Sequence, residues 1–430
     1  MTPREGHKDE TGPAAGDRLE SSASRRLSVL GIYPWGRFWS MGEFRGAPSF
    51  FLAPQALVKA GHDVHISMPG HKGAAAEDYH GMKLHRYRFG IDFMPMVEGA
   101  LARHLTRPFR FAYYVLLATL NGLLTARRVR PDVVVGYGAF GTPVAFLVAR
   151  SMALPNVTRL FGQSLSLGFE KGWRAKVKLV LNYVEIVAFL TPCSRLIVCN
   201  DGSSGRAVAA RLGVPAERLR YWRNGVDKGL FRPPPARGGV KSELGFDPDE
   251  PVLLAAGRLD KEKHHERLLH GLPGVLREFP RAVAVIVGDG DQRGFLKAEA
   301  QRLGVEGSVR FTGAIEREAL ALYYKACDVF VTLSDRTNVA NPTEEAMMCG
   351  CCVVALDAGE TSEVIGDGGA GVVVSRGDLG RLAEIVVDLL RNHERRIELG
   401  RRAAALAGEL LPSVEERQDM EAGAVGEVVG

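Results

Sequence analysis

Residues 328–360 read DVFVTLSDRTNVANPTEEAMMCGCCVVALDAGE. The apolar runs 329–333 and 352–356 have the length and β-branched content of strands buried on both faces, as in a parallel sheet covered by helices. Between them lie a polar loop with Asn338 and Asn341 and a helix expected to open at Pro342. Proline suits a first helical turn because its missing N–H would be unpaired there anyway. In such a strand-loop-helix unit the loop sits at the carboxyl end of the sheet, and the helix offers unpaired N–H groups and a positive dipole end to an anion. A diphosphate fits that description. Glu345, expected in the first turn, favours the dipole and can accept hydrogen bonds from a ribose diol.

Residues 334–354, with Gly359 and Glu363 beyond them, resemble the signature of the retaining GT-B glycosyltransferases that use nucleotide sugars. That family carries two glutamates separated by seven residues. Aligned without gaps, Glu345 takes the place of the second, and Thr337 stands where the first would be. The departure falls at the donor-sugar end of the site, where a neutral hydroxyl makes a hydrogen bond about half as strong as a carboxylate's. Asp335 and Asn338 are the neighbours able to compensate.

Other stretches carry the same resemblance. Asn224-Gly225-Val226-Asp227, with Phe231 and Pro233 after it, is similar to the family's inter-domain segment. The apolar run 252–256 leads into Gly257-Arg258 and on to Lys263, and the family has an arginine and a lysine at these spacings. Arg258 and Lys263 are suited to neutralising the charge that grows on a diphosphate leaving group. Gly61-His62-Asp63-Val64 is typical of the family, and Gly46, with Gly42 second, falls nearest its phosphate-loop glycine. Phe161, before Gly162, occupies the place of a histidine that usually faces the donor sugar, and Gly138 lies in the glycine-rich turn on the acceptor side.

The main rival signal is Gly136-Tyr-Gly138-Ala-Phe-Gly141, which follows an apolar run and matches a dinucleotide fingerprint. That fingerprint also expects an acidic residue at the end of the next strand, and the run 157–161 ends without one. Asp289 and Asp291 suit either a turn or a divalent cation on phosphates; the resemblance implies a site without metal. Trp35, Phe38 and Trp39 suit either a sugar-stacking platform or the packing of their own loop.

The length of 430 residues allows two or three domains, and 46% hydrophobic with 24% charged residues is ordinary for a globular chain. The six cysteines lack ligand-like spacing and suit packing in a reducing compartment. Residues 1–26 are polar and read as a disordered leader without the apolar core of a secretory signal. No stretch reads as long and apolar enough to span a bilayer. Residues 1–225 hold 30 Lys and Arg against 16 Asp and Glu, a balance of +14, so the remainder of the net +5 is −9. A basic amino-terminal half suits an anionic membrane face or a phosphorylated lipid acceptor. Nothing beside that charge looks like a nucleic-acid platform. The stretch 94–130, with Arg103, His104, Arg107, Arg110, Arg127 and Arg128 around an apolar middle, suits a core helix with a solvated basic end or a helix lying on a membrane.

The resemblance therefore implies an α/β GT-B fold, two doubly wound Rossmann-like domains facing a central cleft. The expected division is a leader at 1–26, an acceptor domain at 27–225, a nucleotide-sugar domain at 226–410, and a carboxy-terminal helix at 411–430 returning to the first. The implied activity is retaining hexosyl transfer from a nucleoside-diphosphate sugar to a hydroxyl acceptor, glycan, glycolipid or small molecule. The donor is a substrate and no further cofactor is expected. Arg258, Lys263 and Glu345 would carry the chemistry. Gly46, Gly257, Thr337, Asn338, Asn341, Pro342 and Thr343 would hold the donor, with Phe161 and Gly138 on the acceptor side. The expected location is cytoplasmic, with peripheral contact at the inner membrane face. The alternatives are a non-catalytic sugar-nucleotide-binding protein and an NAD-dependent oxidoreductase.

Overall fold

Short runs of Val, Ile, Leu and Ala separated by helical segments cannot bury both faces except in parallel sheets with helices on each side. The computed structural model has two such sheets. It describes residues 25–35, 49–70, 77–88, 100–168 and 172–430. The first sheet contains β1 (Ser28–Ile32), β2 (Asp63–Gly70), β3 (Glu77–Tyr79), β4 (Met82–Arg88), β5 (Val133–Tyr137), β6 (Asn156–Leu160), β7 (Arg195–Cys199) and β8 (Leu219–Trp222). Its order is β3-β4-β2-β1-β5-β6-β7-β8, and only the β3–β4 pair is antiparallel. The second contains β9 (Val252–Ala256), β10 (Val283–Val287), β11 (Val309–Gly313), β12 (Val329–Thr332), β13 (Cys352–Leu356) and β14 (Gly371–Val374). Its order is β11-β10-β9-β12-β13-β14, parallel throughout.

In each sheet the chain order reverses once, between β1 and β5 and between β9 and β12. Open α/β sheets bind ligands at the carboxyl ends of the strands beside such a reversal. The loops after β9 and β12 are those that hold Lys263 and Thr337.

Among the described residues the helices that accompany the first sheet include α1 (Ser49–Lys59), α2 (Ala100–Val129), α3 (Gly138–Met152), α4 (Trp173–Leu181), α5 (Tyr183–Leu190) and α6 (Gly205–Arg211). A single helix over 171–190 is the reading that periodicity favours, yet the chain breaks at Asn182, whose N–H bonds the carbonyls of Lys178 and Leu179 before α5 begins. Among the described residues the segment Thr106–Val129 is long and apolar enough to cross a membrane by length and composition, contrary to the expectation that no stretch would be. One side of α2 is nonetheless core: Tyr114, Ala118 and Ala126 are buried with Leu30, Ile32, Val144 and Val148. The other side is exposed, with Phe109, Leu116, Leu120 and Leu124 all at least half accessible. It is neither a fully buried core helix nor merely a basic end in solvent.

The last helix, Val414–Gly426, opens with a capping box between Ser413 and Glu416. It packs on α1, and Ala422, Ala424 and Val425 join the core of the first sheet around Val29, Ile66 and Val135. All six cysteines are free thiols, five of them buried. Among the described residues no group of three His, Cys, Asp or Glu side chains is placed to hold a metal ion.

Candidate functional site

The carboxyl ends of β9 and β12 and the start of helix Asn341–Met348 enclose a narrow cavity lined by Lys263, His264, His265, Thr337, Asn338, Pro342 and Thr343, among others. The helix begins at Asn341 rather than Pro342, with Ala340 as its extended N-cap residue and Pro342 second. Its first-turn acid is therefore Glu344, and Glu345 starts the second turn. Proline is tolerated throughout that turn, so sequence alone leaves the start uncertain by one residue.

Lys263 is the central cation. Its backbone N–H bonds Asp260, which shapes the turn, while its ammonium makes no ion pair among the described residues. Burial, and next Arg336, lowers its pKa below the ordinary lysine value. A half-buried, unpaired ammonium beside a helix amino terminus is an environment that an anion would stabilise. Arg258 stands outside this cavity: its side chain is 73% exposed and pairs with Asp260 at 3.1 Å. Gly257, at the end of β9, donates to the carbonyl of Val287 and ties β9 to β10.

Several expected donor contacts have other work. Asn338 is buried; its Oδ1 accepts from Ser334 N and Thr332 Oγ1, and its Nδ2 donates to the carbonyls of Ser334 and Leu356. Its amide is fully used in tying the loop to β13, so it has none left for a sugar. Thr337 Oγ1 donates to the carbonyl of Asp201 at 2.7 Å, across to the first sheet. Asn341 Oδ1 accepts from Asn224 Nδ2 at 2.9 Å, also across the cleft. Asp335 is held by Arg267 at 2.8 Å, His264 at 3.0 Å and Arg376 at 3.1 Å, which removes it as a substitute for the missing glutamate.

Glu345 faces Tyr324 Oη and Arg317, each at 3.3 Å, and burial pushes its carboxyl up to about 7. Glu344, which the sequence reading did not single out, pairs across the cleft with Arg223 at 2.9 Å; burial raises it to about 7 as well, against the pull of Arg223. Two adjacent buried carboxyls thus face opposite ways, one toward each sheet. The signal for Arg223 was its place directly before the Asn-Gly-Val-Asp segment, where the chain passes between the sheets.

On the opposite wall, Phe161 stacks on Phe50 with ring centroids 4.1 Å apart and lies beside Trp35 and Tyr137. Packing accounts for Trp35 and Phe161. Phe38, Trp39, Gly42 and Gly46 lie outside the described residues. Gly138 opens α3 directly against the Trp35 ring. A larger hollow lined by Pro233, Arg237, Asp328 and Arg396 lies at the opposite, amino-terminal ends of β12 and β13 and contains none of the expected residues.

The cleft is closed by one further contact. Gly202, in the turn after β7, sits so tightly on Val339 and Thr337 that any Cβ there would collide, and its carbonyl accepts from Glu360 N at 2.8 Å. Tyr221 Oη adds a bond to Glu360 at 3.2 Å.

With this geometry in view, comparison with known proteins is specific. The family described as Glycosyl transferases group 1 matches residues 240–405, and that described as Glycosyltransferase Family 4 matches residues 55–229. Among curated relatives, a GDP-mannose-dependent alpha-(1-6)-phosphatidylinositol monomannoside mannosyltransferase of Mycolicibacterium smegmatis is 30% identical over 54% of this chain and 62% of its own length. A D-inositol 3-phosphate glycosyltransferase of Segniliparus rotundus is 32% identical over 43% of this chain and 42% of its own. The chain thus spans only about two fifths to three fifths of the length of these relatives. Among solved structures, sucrose-phosphate synthase from Thermosynechococcus elongatus superposes with a TM-score of 0.71 at 19% identity over 93% of this chain and 98% of its own. Anabaena HepE in complex with UDP and glucose does so with a TM-score of 0.65 at 18% identity over 92% and 98%. At these identities the likeness is one of fold. Two family models, group 1 over the second sheet and Family 4 over most of the first, together with one shared two-sheet architecture, show a GT-B fold and a likeness to the group 1 glycosyltransferases.

Proposed function

We propose that this protein is a retaining glycosyltransferase that moves a hexosyl group from a nucleoside-diphosphate sugar to a hydroxyl acceptor. The observation that carries the reading is Lys263, an ammonium without an ion-pair partner among the described residues, sharing one cavity with the start of helix Asn341–Met348 at the reversal between β9 and β12. Cation and helix dipole act together on a diphosphate, and both gain strength as charge grows on the leaving oxygen. In this reading the bond from the sugar's anomeric carbon to the diphosphate breaks as the bond to the acceptor oxygen forms on the same face. The departing phosphate oxygen takes up the acceptor proton. No protein nucleophile is needed, so the threonine at 337 and the phenylalanine at 161 are compatible with turnover. Glu345 would meet the ribose by exchanging Tyr324 or Arg317 for the diol.

A thermal-unfolding panel with GDP, UDP, ADP, GDP-mannose, UDP-glucose and NAD tests this. A ligand at about a hundred times its Kd stabilises the native state by about 2.7 kcal/mol. One nucleoside diphosphate and its sugar are expected to raise the melting temperature, with NAD inert. A shift with NAD alone would overturn the reading.

Peripheral contact with an anionic bilayer belongs to the same proposal. α2 and α4 contain no acidic residue, and Phe109, Leu116, Leu120 and Leu124 of the one and Trp173, Val177 and Val180 of the other are exposed beside Arg107, Arg110, Arg127, Arg128, Lys176 and Lys178. Arg107 donates to the carbonyl of Leu181 at 2.8 Å and so joins the two helices. An exposed apolar stripe flanked by cations fits the surface of anionic lipids. Sedimentation with phosphatidylglycerol vesicles is expected to carry the protein down and phosphatidylcholine vesicles to leave it in solution. Leu120→Asp with Leu124→Asp is expected to abolish sedimentation without lowering the melting temperature, since both side chains are already in solvent. Equal binding to both vesicle types would refute the electrostatic part.

A further inference from the structure

The two positions at which this chain departs from the family resemblance, Thr337 and Phe161, lie on opposite walls of the cleft, and Asp201 lies between them. The carbonyl of Asp201 accepts the Thr337 hydroxyl at 2.7 Å. Its side chain faces the other wall: a Cβ built on Gly162, the residue after Phe161, would stand 2.9 Å from Asp201 Oδ2. Gly162 has φ 141°, a conformation that disfavours side chains, so that oxygen lies against a residue with no side chain to crowd it.

The two carboxylate oxygens are used differently. Oδ1 accepts from the backbone N–H of Ser203 at 3.2 Å and from the Ser203 hydroxyl, which pins the rotamer. Ser203 is in turn held by Gln163 Nε2. Oδ2 has no hydrogen-bond or ion-pair partner among the described residues. A carboxylate oriented by one oxygen and open at the other is a preorganised acceptor for an O–H donor. The neighbouring acids Asp335, Glu344 and Glu360 are occupied, Asp335 by Arg267, His264 and Arg376, Glu344 by Arg223, and Glu360 by Tyr221. Asp201 and Lys263 also feel each other across the cleft, since the Asp201 charge is among those that oppose the fall in that lysine's pKa.

We infer that Asp201 is the carboxylate that binds a hydroxyl of the donor sugar in this chain, supplied from the amino-terminal sheet in place of an acid at position 337. The inference rests on the donor reading above. It makes the sugar contact depend on closure of the two sheets, because Asp201 and Lys263 belong to different sheets. It also makes Asp201 a determinant of which hexose is accepted, since a fixed acceptor oxygen selects the hydroxyl that points at it.

Isothermal titration of the full chain with GDP, GDP-mannose, UDP and UDP-glucose tests it. Wild type is expected to bind one nucleotide sugar more tightly than the matching nucleoside diphosphate. Asp201→Asn keeps an oxygen for Ser203 but loses the charge; it is expected to weaken the nucleotide sugar about tenfold, the scale of one charge-assisted hydrogen bond, and to leave the diphosphate within about twofold. Asp201→Ser, which keeps a shorter acceptor for the turn, carries the same expectation, and either variant that unfolds at the wild-type temperature decides the matter. Equal weakening of sugar and diphosphate, or none, would overturn the assignment to Asp201. Failure of wild type to bind any of the four would instead overturn the donor reading itself.

Discussion

Lys263→Ala is expected to lower sugar transfer by about a hundred- to a thousandfold, the usual cost of removing one preorganised charge-stabilising group from a reaction that develops negative charge. The loss should fall chiefly on kcat, because the ammonium interacts more strongly with the departing diphosphate than with the bound ground state. Stability should hold, since Lys263 makes no ion pair among the described residues and burial already disfavours its charge. Its lowered pKa also predicts that activity declines on the alkaline side earlier than an ordinary lysine would allow, and that a bound diphosphate moves this limb to higher pH. Lys263→Arg keeps the charge but not the shape, and is expected to recover only part of the rate. Release of nucleoside diphosphate, followed with the nucleotide sugar that raises the melting temperature, is the measurement. Full activity in Lys263→Ala would remove the lysine from the mechanism.

Glu421→Ala is expected to destabilise the fold by about 3–5 kcal/mol, because it leaves two buried guanidinium groups without a counter-charge. Glu421 Oε1 accepts from Arg159 Nε at 2.6 Å and lies 2.8 Å from Arg417 Nη2, an ion-pair contact off the hydrogen-bond axis. All three side chains are at most 8% exposed. Burial already pulls the Arg417 pKa down, and the Glu421 carboxylate is the chief group opposing that fall. Arg159 lies over Phe161, while Arg417 lies over Trp222 and donates to the carbonyl of Arg223 at 2.9 Å. Loss of Glu421 should therefore undock the last helix and loosen Arg223, the partner of Glu344 across the cleft. Chemical unfolding, with proteolysis of residues 411–430 as a second readout, checks this. The control is Glu427→Ala: its pairs with Arg195 and Arg220 are half exposed and should be worth no more than about 1 kcal/mol. Equal effects of the two substitutions would show that burial does not govern this docking.

Much of the architecture was legible because the signals are local. The buried runs 252–256 and 352–356 appear as strands with those bounds, since a short β-branched run between turn residues admits little else. Helix breaks were less legible. Nothing in the apolar periodicity of 171–190 marks Asn182, where two packing directions meet. The exposed side of α2 was also hidden, because a run of Leu and Ala reads alike whether its second face meets a sheet or solvent.

Within the site, the sequence by itself determined which loops meet at the reversal of each sheet, and the presence of Lys263 and a helix amino terminus beside one another, because both follow from strand-loop-helix order within one domain. Only the tertiary structure decided how the side chains are used. Asn338 is tied to Leu356, Thr337 to a carbonyl 136 positions earlier, Asn341 to Asn224 at 117, and Glu344 to Arg223 at 121. Buried polar groups must find partners wherever the fold supplies them. Except for Leu356, which lies in the neighbouring strand, those partners come from the first sheet's side of the cleft, and no spacing along the chain records the distance between two sheets that close on each other.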